Sequence, residues 1–183
     1  MLLTHQLSPL WHYGEPVGPT PRKSTSRDAH PDPRWLTSQE HAAWIELRRL
    51  LLLLPSALDS RTLRQAGLSF FDYQILATLS EGVDRTRRMS ELADATSSSL
   101  SRLSHAVARL ETQGFVIRRR CDGVGRSSVA RLTNSGVRKL EAAAPDHVAS
   151  VRALVIDNLT KEQVQMLRVI ATRIVERLGA DAD

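Results

Sequence analysis

The chain has 183 residues, with 25 Lys and Arg against 20 Asp and Glu, a formal net charge of +5 and a pI near 10.1. That length suits one domain with a real core, or one domain plus a tail, and the basic balance favours an acidic partner, nucleic acid before membrane. One cysteine excludes an intrachain disulfide and suits a reducing compartment.

The first residues, Met1-Leu-Leu-Thr-His-Gln6, carry no cationic stretch and no sustained apolar run, so no secretory signal is expected. Six prolines between Pro9 and Pro33, mixed with Gly, Ser, Thr and charge, predict a disordered arm over residues 1–34. Its Arg22, Lys23 and Arg27 could touch DNA, although a plain tail accounts for them as well.

Order is expected from Trp35. Thr37 and Glu40 have the spacing of a capping box, and Ala43, Ile45, Leu47, Leu50, Leu51 and Leu54 make the following helix apolar on more than one side. Such a helix suits a subunit interface. Its five leucines, Leu50 to Leu54, fall far short of the about 20 residues a bilayer span needs, so a soluble, cytoplasmic protein without membrane contact is expected. Pro55 lacks a backbone donor and predicts a kink or restart, with Ser56 to Gln65 as a second segment.

A further helix begins at Ser69, which caps it while Asp72 reaches back, and Ile75, Leu76 and Leu79 carry it to Gly82. Arg85, Arg87 and Arg88 then read as a basic loop, either suited to backbone phosphate contact or simply solvated. Ser90 is the expected cap of a short helix, Glu91 to Ala95.

From Thr96 to Gln113 the apolar residues Leu100, Leu103, Val107 and Leu110 recur at steps of three and four, which predicts an amphipathic helix with that stripe buried. Its other side carries Ser98, Arg102, His105 and Arg109, with Ser99 and Ser101 beside them. Short hydroxyls let a helix N-terminus approach closely, its free N–H groups favour phosphate, and Ser, Arg and His can all meet base edges. Gly114 ends the helix, with Leu110 and Phe115 as the contact pair of a Schellman cap.

Phe115 to Arg120 and Ser128 to Thr133 alternate apolar and polar around Cys121-Asp-Gly-Val-Gly-Arg-Ser127, which reads as a hairpin. From Ser97 to Arg131 there are seven arginines against Glu111 and Asp122, an excess of five that equals the charge of the whole chain. The positive field is thus concentrated on this module. Cys121 lies among arginines that could lower its pKa, so a redox role stands beside an incidental thiol.

Thr133 caps the next helix, whose stripe is Val137, Leu140, Ala144, Val148, Val151 and Val155, with a bend expected near Ala142 ahead of Pro145. Thr160 and Gln163 form another capping box before a stripe of Val164, Leu167, Ile170, Ile174 and Leu178. Neither helix has local partners enough to cover its stripe, so pairing with a second copy is expected.

The segments Met89-Ser-Glu-Leu-Ala93, Ser99 to His105, Arg109 to Val116 and Arg126 to Thr133 resemble the winged helix-turn-helix of the MarR family of transcriptional regulators, and the likeness runs over about residues 35–178. Arg126 keeps the family's spacing to the Thr of its Leu-Thr. The family's middle Arg-Asp is replaced here by Gly123, Val124 and Gly125, which implies fewer phosphate contacts at the wing tip.

The resemblance implies a mainly α fold with a small β-hairpin wing, a winged helix-turn-helix plus a helical dimerisation region. Residues 1–34 would be the arm, 35–66 the first dimerisation helix, 67–133 the DNA-binding lobe and 134–183 the C-terminal dimerisation helices. The expected function is a homodimeric regulator on a palindromic double-stranded operator, a repressor released by a small, often aromatic effector. DNA would be met by Ser98, Ser99, Ser101, Arg102, His105, Arg119 and Arg126, and Trp44 and Tyr73 are the candidate effector-lining residues, with core packing as their plainer role.

The alternatives are a winged-helix protein-interaction module, or a metal- or redox-sensing regulator. Peroxide-sensing members carry a reactive Cys near the first long helix, which this chain lacks. His5, His12, His30, His41, His105 and His147 form no ligand cluster by spacing, and no P-loop, dinucleotide fingerprint or nucleophile elbow occurs, so neither metal, cofactor nor enzymatic activity is expected.

Overall fold

The computed structural model describes residues 34–120 and 128–180. The helix α1 runs from Ser38 to Ala66, α2 from Phe70 to Ser80, α3 from Met89 to Ala95, α4 from Leu100 to Thr112, α5 from Asn134 to Leu154 and α6 from Lys161 to Ala180. Three strands, β1 (Thr86–Arg88), β2 (Val116–Arg120) and β3 (Ser128–Leu132), form an antiparallel sheet in the order β1, β3, β2.

Local capping chemistry sets most boundaries. Glu40 N donates to Thr37 Oγ1 at 3.3 Å and Thr37 N to Glu40 Oε2 at 2.8 Å, and Thr160 and Gln163 repeat this reciprocal pair at the start of α6. These bonds satisfy amides that a helix start leaves open. The same hydrogen bonds hold the Glu40 carboxyl below its ordinary range. At the other end of α1, Gly67 adopts φ +63 and donates its N–H to Leu63 O at 2.9 Å.

Several expectations change. Pro55 lies inside α1, which continues without a break, because removing one donor leaves the rest of a long ladder intact. The arginines expected in a loop include a third strand, with Thr86 opposite Arg131 and Arg88 opposite Val129. Ser90 does not cap α3. Arg88 holds that position, and its N–H donates to Glu91 Oε2 at 3.4 Å.

One core holds α2, α3, α4 and the inner face of the sheet together. Ile75, Leu76, Leu79, Leu92, Leu103, Val107 and Leu110 are wholly buried, with Val116, Ala130 and Leu132 contributed by the strands. α5 enters this core at Ala143, and its first turn comes so close to β2 that a Cβ at Gly136 would collide with the Phe115 carbonyl and the Leu132 side chain. The half of α1 that follows Pro55 packs on α2 and α5 through Leu58 and Thr62.

The remaining helical surface is bare. Leu50, Leu51, Leu52 and Leu53 on α1 are exposed, as are Met166, Ile170, Ile174 and Leu178 on α6, a helix with no buried residue. Val148, in the α5 stripe expected to need a second copy to cover it, is 54 % exposed, and the inward side of α5 runs through Gly136, Ala143 and Ser150. No helix of the described residues is long and apolar enough to cross a membrane.

Candidate DNA-binding surface

The pair α3 and α4 is joined by a tight turn that has its own capping system. Ser98 N donates to Ala93 O at 2.9 Å and Ser97 N to Asp94 O at 3.0 Å, the two bonds of a Schellman closure. That closure puts Ser97 at φ +48, a left-handed conformation adopted without a glycine. The Thr96 hydroxyl donates back to Leu92 O at 2.7 Å and lies 3.0 Å from Ser98 Oγ.

α4 therefore begins later than its periodicity suggested. Ser99 is the N-cap, its hydroxyl accepting from Arg102 N at 3.2 Å, so Ser98 and Ser99 precede the helix rather than line its side. Leu100 is 54 % exposed and does not belong to the buried stripe, which is Leu103, Ala106, Val107 and Leu110. In the first turn the chain has not yet reached the core that the later turns cover. Opposite the stripe, Ser101, His105 and Ala108 make an exposed, mostly short-chained ridge.

Two arginines flank that ridge, both held by α2. The Arg109 Nη2 group donates to Asp72 Oδ1 at 2.9 Å, and the Arg102 guanidinium stands 4.3 Å from the centre of the Phe71 ring. Asp72 is 9 % exposed while the Arg109 side chain keeps over half its surface in water, so the pair directs a cation more than it stabilises the fold. Asp72 serves this ion pair instead of the reciprocal cap expected of it. The Ser69 hydroxyl still accepts from Asp72 N at 3.0 Å.

The far end of α4 is fastened to the wing. Gly114, at φ +74, donates to Glu111 O and Phe115 donates to Leu110 O, each at 2.9 Å, which is the closure expected there. Glu111 then reaches the strand, accepting from Arg118 N at 2.7 Å with Arg118 Nε 3.5 Å away. Thr133 caps α5 by accepting from Gly136 N at 3.0 Å and donates its hydroxyl to Gly114 O at 2.7 Å. Helix and hairpin are thus set at a fixed angle by one carboxylate and one hydroxyl.

The candidate residues divide accordingly. Ser101, Arg102 and His105 share the exposed N-terminal half of α4, with Ser99 exposed at its cap and Ser98 half-buried in the turn before it. Arg119 occupies a different surface, the outward face of the sheet beside Arg131. Arg126 and Cys121 lie outside the described residues. Arg85 and Arg87 are engaged within the chain, the first with Asn134 Oδ1 at 3.1 Å and the second with Thr78 O at 2.9 Å. Asp72 and Phe71, which orient the α4 arginines, were not foreseen, because their partners lie 37 and 31 positions along the chain.

The two candidate effector residues sit in different settings. Trp44 is 49 % exposed on the half of α1 that buries nothing. Tyr73 is half-buried where α2 meets α5, its ring centre 4.2 Å from that of His147, with Phe70 stacked 5.8 Å from the same imidazole. Burial raises the Tyr73 pKa and lowers that of His147, whose Nδ1 is enclosed and lacks a hydrogen-bond partner among the described residues. Among those residues no three His, Cys, Asp or Glu gather as a metal site.

An independent measure comes from known proteins. The MarR family model matches residues 66–127, from the end of α1 to the residue before β3. Sco3205 of Streptomyces coelicolor, a MarR family transcriptional regulator solved in complex with DNA, is 42 % identical over 80 % of this chain and 92 % of its own, with a TM-score of 0.75. The chain belongs to the MarR family of transcriptional regulators. AbsC, a second MarR regulator from S. coelicolor, is 40 % identical over 81 % of this chain and 99 % of its own, with a TM-score of 0.74. PecS, an HTH-type transcriptional regulator of Dickeya dadantii, is 29 % identical over 133 residues, 72 % of this chain and 79 % of PecS. In this MarR chain the six helices and the small three-stranded antiparallel sheet match the winged-helix fold of the solved MarR structures.

Proposed function

We propose that the protein is a homodimer that binds a palindromic DNA operator, with α4 in the major groove and the wing at the adjacent backbone. The observation that carries this reading is the α4 ridge. Its cap and first turns present Ser99, Ser101 and His105, and Arg102 is aimed beside them by the Phe71 ring. Serine, arginine and histidine at the head of a helix are groups that can contact both phosphates and base edges. Arg126 of the hairpin would reach the neighbouring minor groove, and Arg119 would add phosphate contact from the base of the wing.

The dimer follows from the bare apolar sides of α1 and α6, which a second copy would cover. It would place two α4 helices about one turn of DNA, roughly 10 bp, apart. Repression released by a small aromatic effector is the regulatory half of the proposal. The junction of α2 with α5 supports it, since Tyr73 and the unpartnered His147 Nδ1 stand where the DNA-reading lobe meets the long helices. An effector there would act by favouring one spacing of the α4 helices over another.

Fluorescence anisotropy on the DNA just upstream of the protein's own gene, against a scrambled duplex at two salt concentrations, tests the reading. Sequence-selective binding that weakens steeply with salt is the expected result. Equal, weak binding to both duplexes, with a strong preference for an acidic protein partner, would overturn it in favour of an interaction module.

A further inference from the structure

The outward face of the sheet carries charge away from the α4 ridge: Arg119, proposed above as a phosphate contact, and Arg131, to which the DNA reading gives no role. Thr86, Ile117, Arg119, Val129 and Arg131 alternate onto this face by the strand register, and their inner neighbours Val116, Ala130 and Leu132 are buried in the core. The face is the wall of a cleft of about 690 Å³ that extends past Arg85 to the first turn of α5. That volume lies within the range of small-molecule sites.

The lining has two chemistries. Ile117 and Val129 make an apolar floor, and Ile117 is 46 % exposed. Arg85, Arg119 and Arg131 stand around it against Asp84, an excess of two positive charges. Arg85 is engaged by Asn134 Oδ1, whereas the guanidinium groups of Arg119 and Arg131 make neither hydrogen bond nor ion pair among the described residues. The two are diagonal neighbours on β2 and β3, because Arg119 pairs with Val129 and Arg131 with Ile117. Long side chains at diagonal positions can meet on one anionic group.

We propose that this cleft is a binding site for a small organic anion with an aliphatic or flat apolar body, its acid group held by Arg131 and Arg119 and its body on Ile117 and Val129. Charge complementarity and the apolar floor together select this occupant. A bare inorganic ion would leave the floor wet, and a neutral hydrocarbon would leave both guanidinium groups unused. The site is separate from the α4 ridge, since the sheet turns its other face to the core that α4 also covers.

The test uses the full-length protein without DNA and follows backbone amide shifts during titration with hexyl phosphate, with inorganic phosphate and 1-hexanol as parallel probes. Saturable shifts centred on Thr86, Ile117, Val129 and Arg131 with hexyl phosphate, and no saturation with the other two over the same range, are expected. Arg131→Gln and Ile117→Glu should each weaken hexyl phosphate binding at least about tenfold while the spectra elsewhere stay unchanged. His105→Ala should leave hexyl phosphate binding as it is, so failure of the DNA reading and failure of this site are told apart. Shifts that scatter over α1 and α6, equal affinity for inorganic phosphate, or undiminished binding in both cleft variants would each overturn the assignment.

Discussion

α4 and α6 are amphipathic helices of similar kind with opposite fates. α4 buries Leu103, Ala106, Val107 and Leu110 inside its own chain, whereas α6 buries nothing, although Leu167, Ile170, Ile174 and Leu178 repeat at the same helical steps. The difference teaches where the chain is complete. The lobe from α2 to β3 supplies its own partners, with helices and sheet closing on one core. The long helices present stripes whose partners are not found among the described residues. A hydrophobic stripe says that a face will be covered, and it does not say by which copy.

The sharpest way to break this comparison is to truncate one stripe at a time. Leu103→Ala removes a wholly buried side chain from the lobe and should cost about 2–5 kcal/mol in chemical unfolding. A loss below about 1 kcal/mol would mean that the lobe is not closed on itself.

Ile170→Glu, on α6, should leave the lobe folded and weaken self-association at least about tenfold, or about 1.4 kcal/mol, in sedimentation equilibrium. An unchanged dimer would show that α6 is not the interface. A smaller effect is expected in the turn that leads into α4, where Ser97 holds φ +48. Ser97→Gly should stabilise the fold by about 1 kcal/mol, read from the urea midpoint, because glycine meets little penalty there. A destabilisation would show that the serine side chain is needed in the turn.

The smallest effect concerns pH. Burial lowers the His147 pKa from its ordinary value of 6.5, so the folded protein binds this proton less readily than the unfolded chain. Its contribution therefore destabilises as pH falls through about 6.5 toward the lower folded value, and vanishes above it. His147→Gln should accordingly flatten the decline of the melting temperature between neutral and mildly acid solution. An unaltered slope would place the acid sensitivity elsewhere.

What could be read from the sequence was local. The caps at Thr37, Ser69, Thr133, Gly114 and Thr160 depend on residues within five positions, and the structure has each of them. The readings that failed needed distant partners. Arg87 and its neighbours form a strand because β3 offers them an open edge some 43 residues later, and no alternation of their own announces it. Leu100 looked buried because periodicity cannot tell the first turn of a helix from the turns that reach the core. The ridge of α4 was legible as composition, whereas the aiming of Arg102 and Arg109 by Phe71 and Asp72 required α2 to be folded against it.

The most direct measurement is the affinity of wild type and Arg102→Ala, side by side, for the upstream operator and for a random duplex at one fixed salt concentration. The account predicts a loss of about 1–3 kcal/mol on the operator and a much smaller one on random DNA, so that selectivity falls. Equal losses on both duplexes would reduce Arg102 to a phosphate contact and contradict the assignment of α4 as the reading helix.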